Sequence, residues 1–406
     1  MSSALSPRAR VAVAALRTLN WLSRVSGRGA GTVVGGNLGL AMCPDLLAQL
    51  ARGRTILLVS GTNGKTTTTA MIARGWGQGV VTNSTGSNMP AGHVAALAGS
   101  RENRVVLEVD EAWLAEVVAR TQPRVVVLLN LSRDQLDRAN EVRQLAQRWR
   151  TCLGEFSSED LTVVANANDP LVVYSARDAH HVRWCDVPQQ WLDDARSCPV
   201  CTSPLIHAGR EWHCSCGFAK PSSCTTVLDD ALEIDGESVT LDLGLPGAFN
   251  ESNAALALTA LAELGVNVHD AAAAIGTLAS VAGRFGQREW HGRTLRMLLA
   301  KNPAGFSAII SSVREAPGDV WVAINARVAD GHDPSWLYDV PFEQLRGRRV
   351  WCWGERRLDL ATRLDYAGVD FVVVDDESQI ARGATPVSLI ANYTAFSDWM
   401  ARSTPC

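Results

Sequence analysis

The residues best suited to chemistry form a glycine-rich turn early in the chain, SGTNGKTTTT at positions 60–69. The apolar run TILLVS precedes this turn and the run TTTAMIARG follows it, so the sequence predicts a strand, a tight turn and a helix. In that arrangement backbone N–H groups point at phosphate oxygens, Lys65 neutralises the β- and γ-phosphates, and the Thr66 hydroxyl binds magnesium. The pattern therefore predicts a site for the phosphates of ATP.

The match is to the shorter pattern G-x-x-G-K-T, since Val59 stands where the full phosphate loop has its first glycine. Gly-Lys-Thr alone is common, and a plain strand-to-helix turn is the alternative interpretation. The strand pattern before the turn and the helix pattern after it favour nucleotide binding.

A magnesium ion bound to phosphate needs a further oxygen ligand, usually a carboxylate at another strand end. The segment VVLEVDEAW offers Glu108, Asp110 and Glu111. Glu108 lies inside the apolar run, where a buried carboxylate is costly unless a cation compensates its charge. We therefore expect Glu108 to bind magnesium, whereas Glu111 fits better as an acid at the start of a helix.

Four of the ten cysteines form a C-x-x-C pair and a C-x-C pair within CPVCTSPLIHAGREWHCSCG. The predicted zinc ligands are Cys198, Cys201, Cys214 and Cys216. Two turns of thiolates can close a tetrahedral structural site, and a ribbon this small needs the metal to fold. Because the second pair is one residue shorter than usual, His207, His213 or Cys224 could replace a ligand, and free buried cysteines without metal are the remaining alternative.

Continuous β-branched runs predict the elements that position these residues. The predicted strands are TILLVS at 55–60, RVVLEVD at 104–110, RVVVLLNLS at 124–132 and LTVVANAND at 161–169. Runs of this kind are typical of parallel strands buried on both faces, and DEAWLAEVVART and EVRQLAQRWRTCLGEF supply helices between them. The fold class is therefore α/β, with a doubly wound parallel sheet whose ligands lie at the carboxyl ends of its strands.

Interruptions in the alternation of predicted strands and helices divide the chain into three predicted parts. Residues 1–49 form an N-terminal helical segment, residues 50–290 the central ATP-binding domain, and residues 291–406 a smaller C-terminal α/β domain. The segment 186–226, rich in Cys, Pro, Ser and Trp, reads as an insertion that carries the ribbon. In the C-terminal part, LRMLLA, DVWVAIN, RRVWCWG and VDFVVVD are predicted strands.

Bulk composition narrows the class of protein. The formal net charge of the 406 residues is −4, and this balance indicates neither a nucleic acid nor an anionic membrane as a partner. The apolar segment at 10–23 is too short and too interrupted to span a bilayer or to serve as a secretion signal. We expect a cytoplasmic protein, whose reducing surroundings favour a metal site over disulfides.

Six ordered motifs resemble those of the Mur ligases, which form peptide or amide bonds in cell-wall precursors through an acyl phosphate. They are GTNGKTTT, LEVDEA, NLSRDQLDR, NANDP, LPGAFNESNAALAL and GRFGQRE. The C-terminal stretch, with LLAKNPAGFS, ADGHDPSWLYDVPFE and NYTAF, is similar to the MurT branch of that family, and so is a cysteine cluster inside the central domain. The resemblance covers roughly residues 30 to 396.

The resemblance implies roles for individual residues. The ATP phosphates would be held by Gly61, Thr62, Asn63, Gly64, Lys65, Thr66 and Thr67. Thr66 with Glu108 would hold magnesium, Asn250 and Asn253 resemble the nucleotide-side asparagines, and Arg284 resembles the hinge arginine near the phosphates. Considered without the family, the two asparagines could cap the helix through AALALTALAEL, and Arg284 could form a surface ion pair.

Two positions depart from the amino-acid-adding members of the family. Gln135 in DQLD replaces a histidine that binds metal, and Lys301 in LLAKNP occupies a position where histidine is common. Both substitutions are similar to the MurT branch, so the resemblance argues against an amino acid as the incoming nucleophile.

The loop NARVADGHDPSWLYD contains Asp330, Asp333 and Asp339. Taken alone, they are most simply turn and cap residues. The resemblance implies that Asp333 completes a Cys-His-Asp triad across an interface with GatD, a glutaminase subunit, because a carboxylate there would orient the histidine that activates the cysteine. The sequence leaves open which of the three aspartates meets the partner.

The resemblance implies an ATP-dependent amidotransferase subunit in peptidoglycan synthesis, acting on lipid II at the inner membrane face with ammonia from GatD. One alternative is a Mur-type or folylpolyglutamate-type ligase, which adds an amino acid and needs no glutaminase. The other is a non-catalytic nucleotide-binding protein with a zinc ribbon for nucleic acid or protein, although the ribbon's neighbourhood QQWLDDARS is not basic.

Overall fold

The structure is a computed structural model, and it describes most of the chain. The described residues are 5–25, 32–83, 87–133, 142–157, 159–189, 191, 193–228, 231–245, 247–281, 285–376 and 385–405.

Helices and strands alternate through both halves of the described chain. The α-helices are α1 Pro7–Val25, α2 Thr32–Met42, α3 Leu46–Ala51, α4 Lys65–Trp76, α5 Pro90–Gly99, α6 Leu114–Thr121, α7 Val142–Leu153, α8 Pro170–Ala176, α9 Ala248–Ala262, α10 Val268–Gly276, α11 Pro303–Val313, α12 Arg357–Ala367 and α13 Tyr393–Arg402. The strands are β1 Thr55–Ser60, β2 Val80–Thr82, β3 Arg104–Glu108, β4 Val125–Leu128, β5 Thr162–Asn166, β6 Val182–Asp186, β7 Ile206–Ala208, β8 Glu211–His213, β9 Thr225–Val227, β10 Ala231–Ile234, β11 Glu237–Thr240, β12 Phe285–Trp290, β13 Arg293–Leu299, β14 Asp319–Ala323, β15 Arg349–Trp353, β16 Asp370–Val373, β17 Val387–Ala391 and β18 Thr404–Pro405.

The first sheet has the strand order β11-β10-β9-β6-β5-β4-β1-β3-β2. In this order, the seven neighbouring strands β9-β6-β5-β4-β1-β3-β2 are parallel. The strands β10 and β11 extend the sheet beyond β9 as an antiparallel hairpin. This confirms the predicted parallel α/β sheet, with each of the four predicted runs forming one strand.

Side chains of the first sheet alternate between two helical layers. In β1, Ile56 and Leu58 join the core under the N-terminal helices and α5 to α8, whereas Leu57 and Val59 join the core under α4, α9 and α10. A strand buried on both faces must be apolar at every position. That requirement explains why the strand sequences show continuous rather than alternating apolar residues.

The second sheet has the order β16-β15-β14-β17-β13-β12-β18. The four predicted C-terminal strands are present, and the prediction missed β17, which lies between β13 and β14 and pairs parallel with both. The strand β12, which ends where the predicted domain boundary lies, pairs antiparallel with β13 in this sheet. The change from one sheet to the other therefore comes before Phe285.

The predicted insertion leaves the sheet after β6 and returns at β9. It contains the two-stranded β7–β8 hairpin, whose small core includes Leu205, Trp212 and Phe218 packed against Val173 of α8. None of the described helices has the length and apolar character needed to cross a bilayer.

Candidate functional site

The glycine-rich turn joins β1 to α4 at the carboxyl edge of the first sheet. Gly61 and Gly64 have positive φ angles of 139° and 88°, a region that other residues rarely adopt. A Cβ on Gly64 would also lie 2.5 Å from Oδ1 of Asn253. Glycine is therefore required at this turn both for its backbone conformation and for the close approach of a neighbouring helix.

The segment that follows β4, residues 130–132, holds the turn in place. The Asn63 N–H donates to Asn130 Oδ1 at 2.9 Å, and Asn130 Nδ2 donates back to the Asn63 carbonyl at 3.0 Å. The Thr62 hydroxyl donates to the Ser132 carbonyl at 3.0 Å and accepts from the Ser132 N–H at 2.9 Å. Asn130 and Ser132 were not predicted as site residues, although both belong to the quoted motif NLSRDQLDR.

Lys65 is buried beneath the turn, with 4 % of its surface exposed. Its Nζ donates to the carbonyls of Gly61 at 2.5 Å and Thr62 at 3.2 Å, and it lies 3.2 Å from Glu111 Oε1. The interpretation of Glu111 as an acid at a helix start is therefore wrong, since α6 begins only at Leu114 and Glu111 faces the lysine. The sequence did contain a signal for this contact, because Glu111 follows Glu108 by three residues and β3 pairs with β1, the strand that leads to Lys65.

Thr66 and Glu108 meet where β1 and β3 end. Val59 is in register with Glu108, and the Thr66 hydroxyl donates to Glu108 Oε2 at 2.7 Å. A hydroxyl and a carboxylate oxygen beside a phosphate loop form the donor set that magnesium prefers. The residues present therefore fit the predicted magnesium site.

Two buried side chains fix the backbone of Glu108. Asn83 accepts from the Glu108 N–H at 2.9 Å and donates to its carbonyl at 2.8 Å, and His93 Nε2 lies 2.9 Å from the same carbonyl. Burial lowers the pKa of His93 to about 4, so the ring is neutral near pH 7 and can donate from Nε2. Neither residue belongs to one of the motifs quoted above, and no role was predicted for either.

Asn250 and Asn253 lie inside α9, where both are buried. Gly247 is the N-cap of this helix and no side chain caps it, so the alternative that these asparagines cap the helix is wrong. Asn253 Nδ2 lies 3.3 Å from Asn250 Oδ1, and Asn253 also faces Gly64 of the turn. The packing therefore brings both residues beside the predicted phosphate site.

A cleft opens in front of the turn. The central part of the chain lines it with residues that include Asn63, Thr66 and Asn253, and the C-terminal part lines it with β13 and α11. Asn302, the N-cap of α11, donates from Nδ2 to Asn63 Oδ1 at 3.1 Å. This bond ties the phosphate loop to the second sheet.

Of the three remaining predicted positions, the structure describes one, Lys301. Lys301 is half-buried immediately before Asn302. Arg284 and Gln135 lie outside the described residues, so their predicted roles stay predictions.

The four predicted cysteines form one cluster. All their sulfur atoms lie within 4.8 Å of one another, with Cys198 and Cys216 3.7 Å apart and Cys201 and Cys214 3.4 Å apart. Tetrahedral zinc with bonds of about 2.3 Å separates its sulfurs by about 3.8 Å. The shortened second pair therefore still reaches the site, and the cluster fits zinc.

The proposed substitute ligands are not part of this cluster. His207 and His213 have exposed side chains on the hairpin, and Cys224 Sγ accepts a hydrogen bond from Arg183 at 3.0 Å. The N–H of Val200 points at Cys198 Sγ at 3.4 Å, which is the arrangement expected where a knuckle stabilises a thiolate.

The three aspartates of the C-terminal loop have different surroundings. Asp330 is buried and accepts from the Thr394 N–H at 2.9 Å, so it holds the start of α13. Asp339 lies 3.6 Å from Arg133. Asp333 is exposed and accepts from the Ser335 N–H at 2.9 Å, and this bond is the main reason that its pKa is lowered.

Comparison with known proteins agrees with this arrangement. The Mur ligase middle domain model matches residues 59–196, and the MurT ligase C-terminal model matches residues 299–396. The chain is 30 % identical to the lipid II isoglutaminyl synthase (glutamine-hydrolyzing) subunit MurT of Staphylococcus aureus strain COL, covering 87 % of this chain and 86 % of that protein. It is 27 % identical to the subunit of the same name from Streptococcus pneumoniae, covering 91 % and 92 %.

Among solved structures, a pseudomurein peptide ligase type C from Methanothermus fervidus superposes with a TM-score of 0.66 at 17 % identity, covering 86 % of this chain and 78 % of that one. A MurF ligase from Thermotoga maritima in complex with ADP superposes with a TM-score of 0.57 at 17 % identity, covering 88 % and 82 %. At these identities the structural likeness concerns the fold.

Proposed function

The chain belongs to the MurT family of Mur ligase-type subunits, and from this premise we propose that it amidates the α-carboxylate of D-glutamate in the stem peptide of lipid II. The reaction is an ATP-dependent ligation that contributes to peptidoglycan synthesis. The observation that carries the proposal is the bond from Thr66 to Glu108 beside the buried Lys65, in a phosphate loop that lines a cleft between the two sheets.

The reaction has two steps. The substrate carboxylate attacks the γ-phosphorus of ATP, which forms an acyl phosphate and releases ADP. Ammonia then attacks the acyl carbon, phosphate leaves and a proton is lost, so that the product is D-isoglutamine, the α-amide of D-glutamate. Between the two steps the acyl phosphate must be protected from water, which would hydrolyse it.

Residues of the turn fit the first step. The N–H groups of the loop and of the start of α4 can hold the phosphates, and the ammonium of Lys65 stabilises charge that develops on the transferred group. Thr66 and Glu108 would hold magnesium, which when bound neutralises phosphate charge. Asn250 and Asn253 close the nucleotide side, and Asn302 couples closure of the C-terminal domain to the loop.

The ammonia source in this proposal is a GatD-type glutaminase subunit. Asp333 supports the proposal, because it is the exposed member of the three aspartates that has no side-chain cation within ion-pair distance among the described residues. Its lowered pKa keeps it ionised, as a carboxylate that orients a histidine must be. We place the complex in the cytoplasm, at the membrane face that carries lipid II.

The alternatives are less well supported. An amino-acid ligase would not require the match of residues 299–396 to the MurT-type C-terminal domain. A non-catalytic ribbon protein would not require Lys65 and Glu111 to be paired beneath a phosphate loop.

The test is to co-express the chain with a candidate glutaminase and to supply lipid II, ATP, magnesium and glutamine. Mass spectrometry should detect the small mass loss that accompanies conversion of a carboxylic acid to an amide. Lys65→Ala should abolish the change with any nitrogen source. Asp333→Asn should abolish it with glutamine but not with free ammonia, whereas the matched variant Asp339→Asn should keep both reactions.

A mass gain when amino acids are offered, with no amidation from ammonia, would contradict the proposal and favour a peptide-forming ligase. Retention of glutamine-dependent activity by Asp333→Asn would remove the shared triad but leave the ligase assignment intact.

A further inference from the structure

The N-terminal helices carry an unusual concentration of exposed apolar side chains. Among the described residues, seventeen large apolar side chains are exposed, and seven of them lie between residues 11 and 38. These seven residues, which we call the α1–α2 face, are Val11, Trp21, Leu22, Val25, Val33, Val34 and Leu38. Single exposed apolar residues are ordinary, whereas a concentration of this kind indicates a contact surface.

In α1 the exposed positions follow the helical repeat. Val11, Trp21 and Val25 are exposed, with the small residues Ala14 and Thr18 between them, so that the spacing of three or four residues places them along one side. Ala12 and Leu16, on the opposite side, are buried in the main core. The helix is therefore apolar on its outer side as well as on its inner side.

In α2 the inner side is made of glycine. A Cβ at Gly36 would lie 2.0 Å from the Ala91 carbonyl, and one at Gly35 would lie 2.1 Å from Asn20 Oδ1. The helix thus packs tightly through its glycines and presents Val33, Val34 and Leu38 outward. It contains no charged residue, which is unusual for a helix at the surface.

Charge in this region has one sign. The first 44 residues contain five arginines and neither Asp nor Glu, although the whole chain has a net charge of −4. Within the described residues, Arg8, Arg10, Arg17 and Arg24 donate to backbone carbonyls and none forms an ion pair with a carboxylate. A guanidinium has five donors, so each of these arginines retains donors for anionic groups.

The α1–α2 face leads toward the proposed active site. A groove next to it is lined by Val33 and Leu40 of α2 together with Met89 and Trp113. Trp113 follows Glu111, the partner of Lys65, by two positions, and the adjacent Asn88 carbonyl accepts from the Asp110 N–H at 2.9 Å. A membrane or protein bound to this groove would therefore lie close to Glu111, at the carboxyl edge of the first sheet.

We propose that the α1–α2 face docks on an anionic lipid bilayer, lying in the headgroup region without crossing it. Apolar residues with Trp at the polar boundary, flanked by arginines, form the pattern of helices that lie in a membrane interface. Arginines near the surface are attracted by acidic headgroups. The part of this inference that concerns a membrane-borne substrate rests on the proposed function.

The test uses the full chain with its glutaminase subunit and flotation with vesicles of phosphatidylcholine, either alone or mixed with phosphatidylglycerol. Binding should require the anionic lipid and should weaken with added salt. The double variants Trp21→Ser/Leu22→Ser and Arg10→Gln/Arg24→Gln should each reduce binding about tenfold. The matched control Leu358→Ser/Tyr366→Ser removes comparably exposed side chains from α12 and should not change binding.

Three results would overturn the proposal. The first is the absence of binding to anionic vesicles, or binding that the Trp21/Leu22 variant does not change. The second is a self-association seen by sedimentation that this variant abolishes, because a second copy would then cover the face. The third is loss of the glutaminase subunit from this variant during purification.

Turnover separates this inference from the proposed function. With a short-chain, water-soluble analogue of lipid II, the Trp21/Leu22 variant should keep its amidation rate, while its rate on lipid II in vesicles should fall about tenfold. If neither substrate is amidated by the unaltered protein but anionic vesicles still bind through these residues, the proposed function fails and the docking surface stands.

Discussion

The phosphate loop and the cysteine ribbon are both compact turns that fit a metal ion, yet they are held in different ways. The loop has protein partners for Lys65, Thr62 and Asn63, and it follows β1, whose side chains join the two large cores of the first sheet. The cysteine sulfurs lie mainly against one another, above a core of a few side chains.

This difference predicts which site depends on its ligand. Fully partnered polar groups in a large core keep their geometry without the ligand, so we expect the phosphate loop to be formed in the absence of nucleotide. A small core cannot offset the conformational entropy of ordering its chain. We therefore expect the ribbon to be ordered by zinc.

The largest effect should follow removal of zinc from the ribbon. Binding of a structural zinc ion contributes about 10–16 kcal/mol to folding of such units, so Cys201→Ser or a chelator should unfold the segment locally. Trypsin should then cleave at Arg210, while ATP binding at the loop should change less than about twofold.

Cys224→Ser is the matched control, because Cys224 lies outside the cluster and bonds to Arg183 instead. It should keep zinc, as measured by atomic absorption. Resistance of the metal-free ribbon to trypsin would contradict the contrast between the two sites.

The next effect should come from Lys65. Lys65→Met should lower the amidation rate about 10³-fold, about 4 kcal/mol at the barrier, because a cation aimed at the transferred phosphoryl group is lost. Arg74→Met provides a control on the same helix, where Arg74 bonds to Thr277 away from the cleft. The steady-state amidation rates of the two variants should therefore differ by about 10³-fold. A near-normal rate in Lys65→Met would show that Lys65 has no part in the mechanism.

Acid should lower the stability of the folded protein through His93, whose Nε2 contacts the Glu108 carbonyl. Because burial lowers the pKa of His93 to about 4 from its ordinary 6.5, the unfolded chain binds the proton first. The stability from this group is therefore complete above pH 6.5 and is lost as the pH falls toward 4. At pH 4.5 the loss should be about 2 kcal/mol.

Urea unfolding of the protein and of His93→Gln at pH 7 and pH 4.5 measures this effect. Gln can donate to the Glu108 carbonyl without titrating, so its stability should fall less over the same interval. An equal fall in both proteins would show that other groups account for the acid sensitivity.

The smallest effect should be at the magnesium ligand. Glu108→Gln should weaken magnesium-dependent binding of a non-hydrolysable ATP analogue about tenfold, about 1.4 kcal/mol, because the neutral amide is a poorer ligand. Calorimetry with and without magnesium measures the difference. Glu116→Gln, which removes an exposed carboxylate paired with Arg120 on α6, should leave it unchanged.

Local patterns were sufficient for much of this protein. The run TILLVS before GTNGKT predicted a strand, a turn and a helix at their observed positions, because two-sided burial requires continuous apolar residues and a phosphate turn requires glycine. The two cysteine pairs likewise predicted their cluster. The partners of Glu111 and His93 were not predicted, because Glu111 and Lys65, like His93 and Glu108, belong to separate segments that only the fold brings together.

The sequence by itself determined the α/β class, the family and the chemical types present at the site, since each depends on residues adjacent in the chain. Tertiary structure alone decided which acid faces Lys65, which of the three aspartates is buried, and that β17 lies in the middle of the second sheet. Strand order and burial arise from contacts between distant residues, and those contacts place Asn302 against Asn63 across 239 positions of sequence. Their pairing is a property of packing, which no local periodicity encodes.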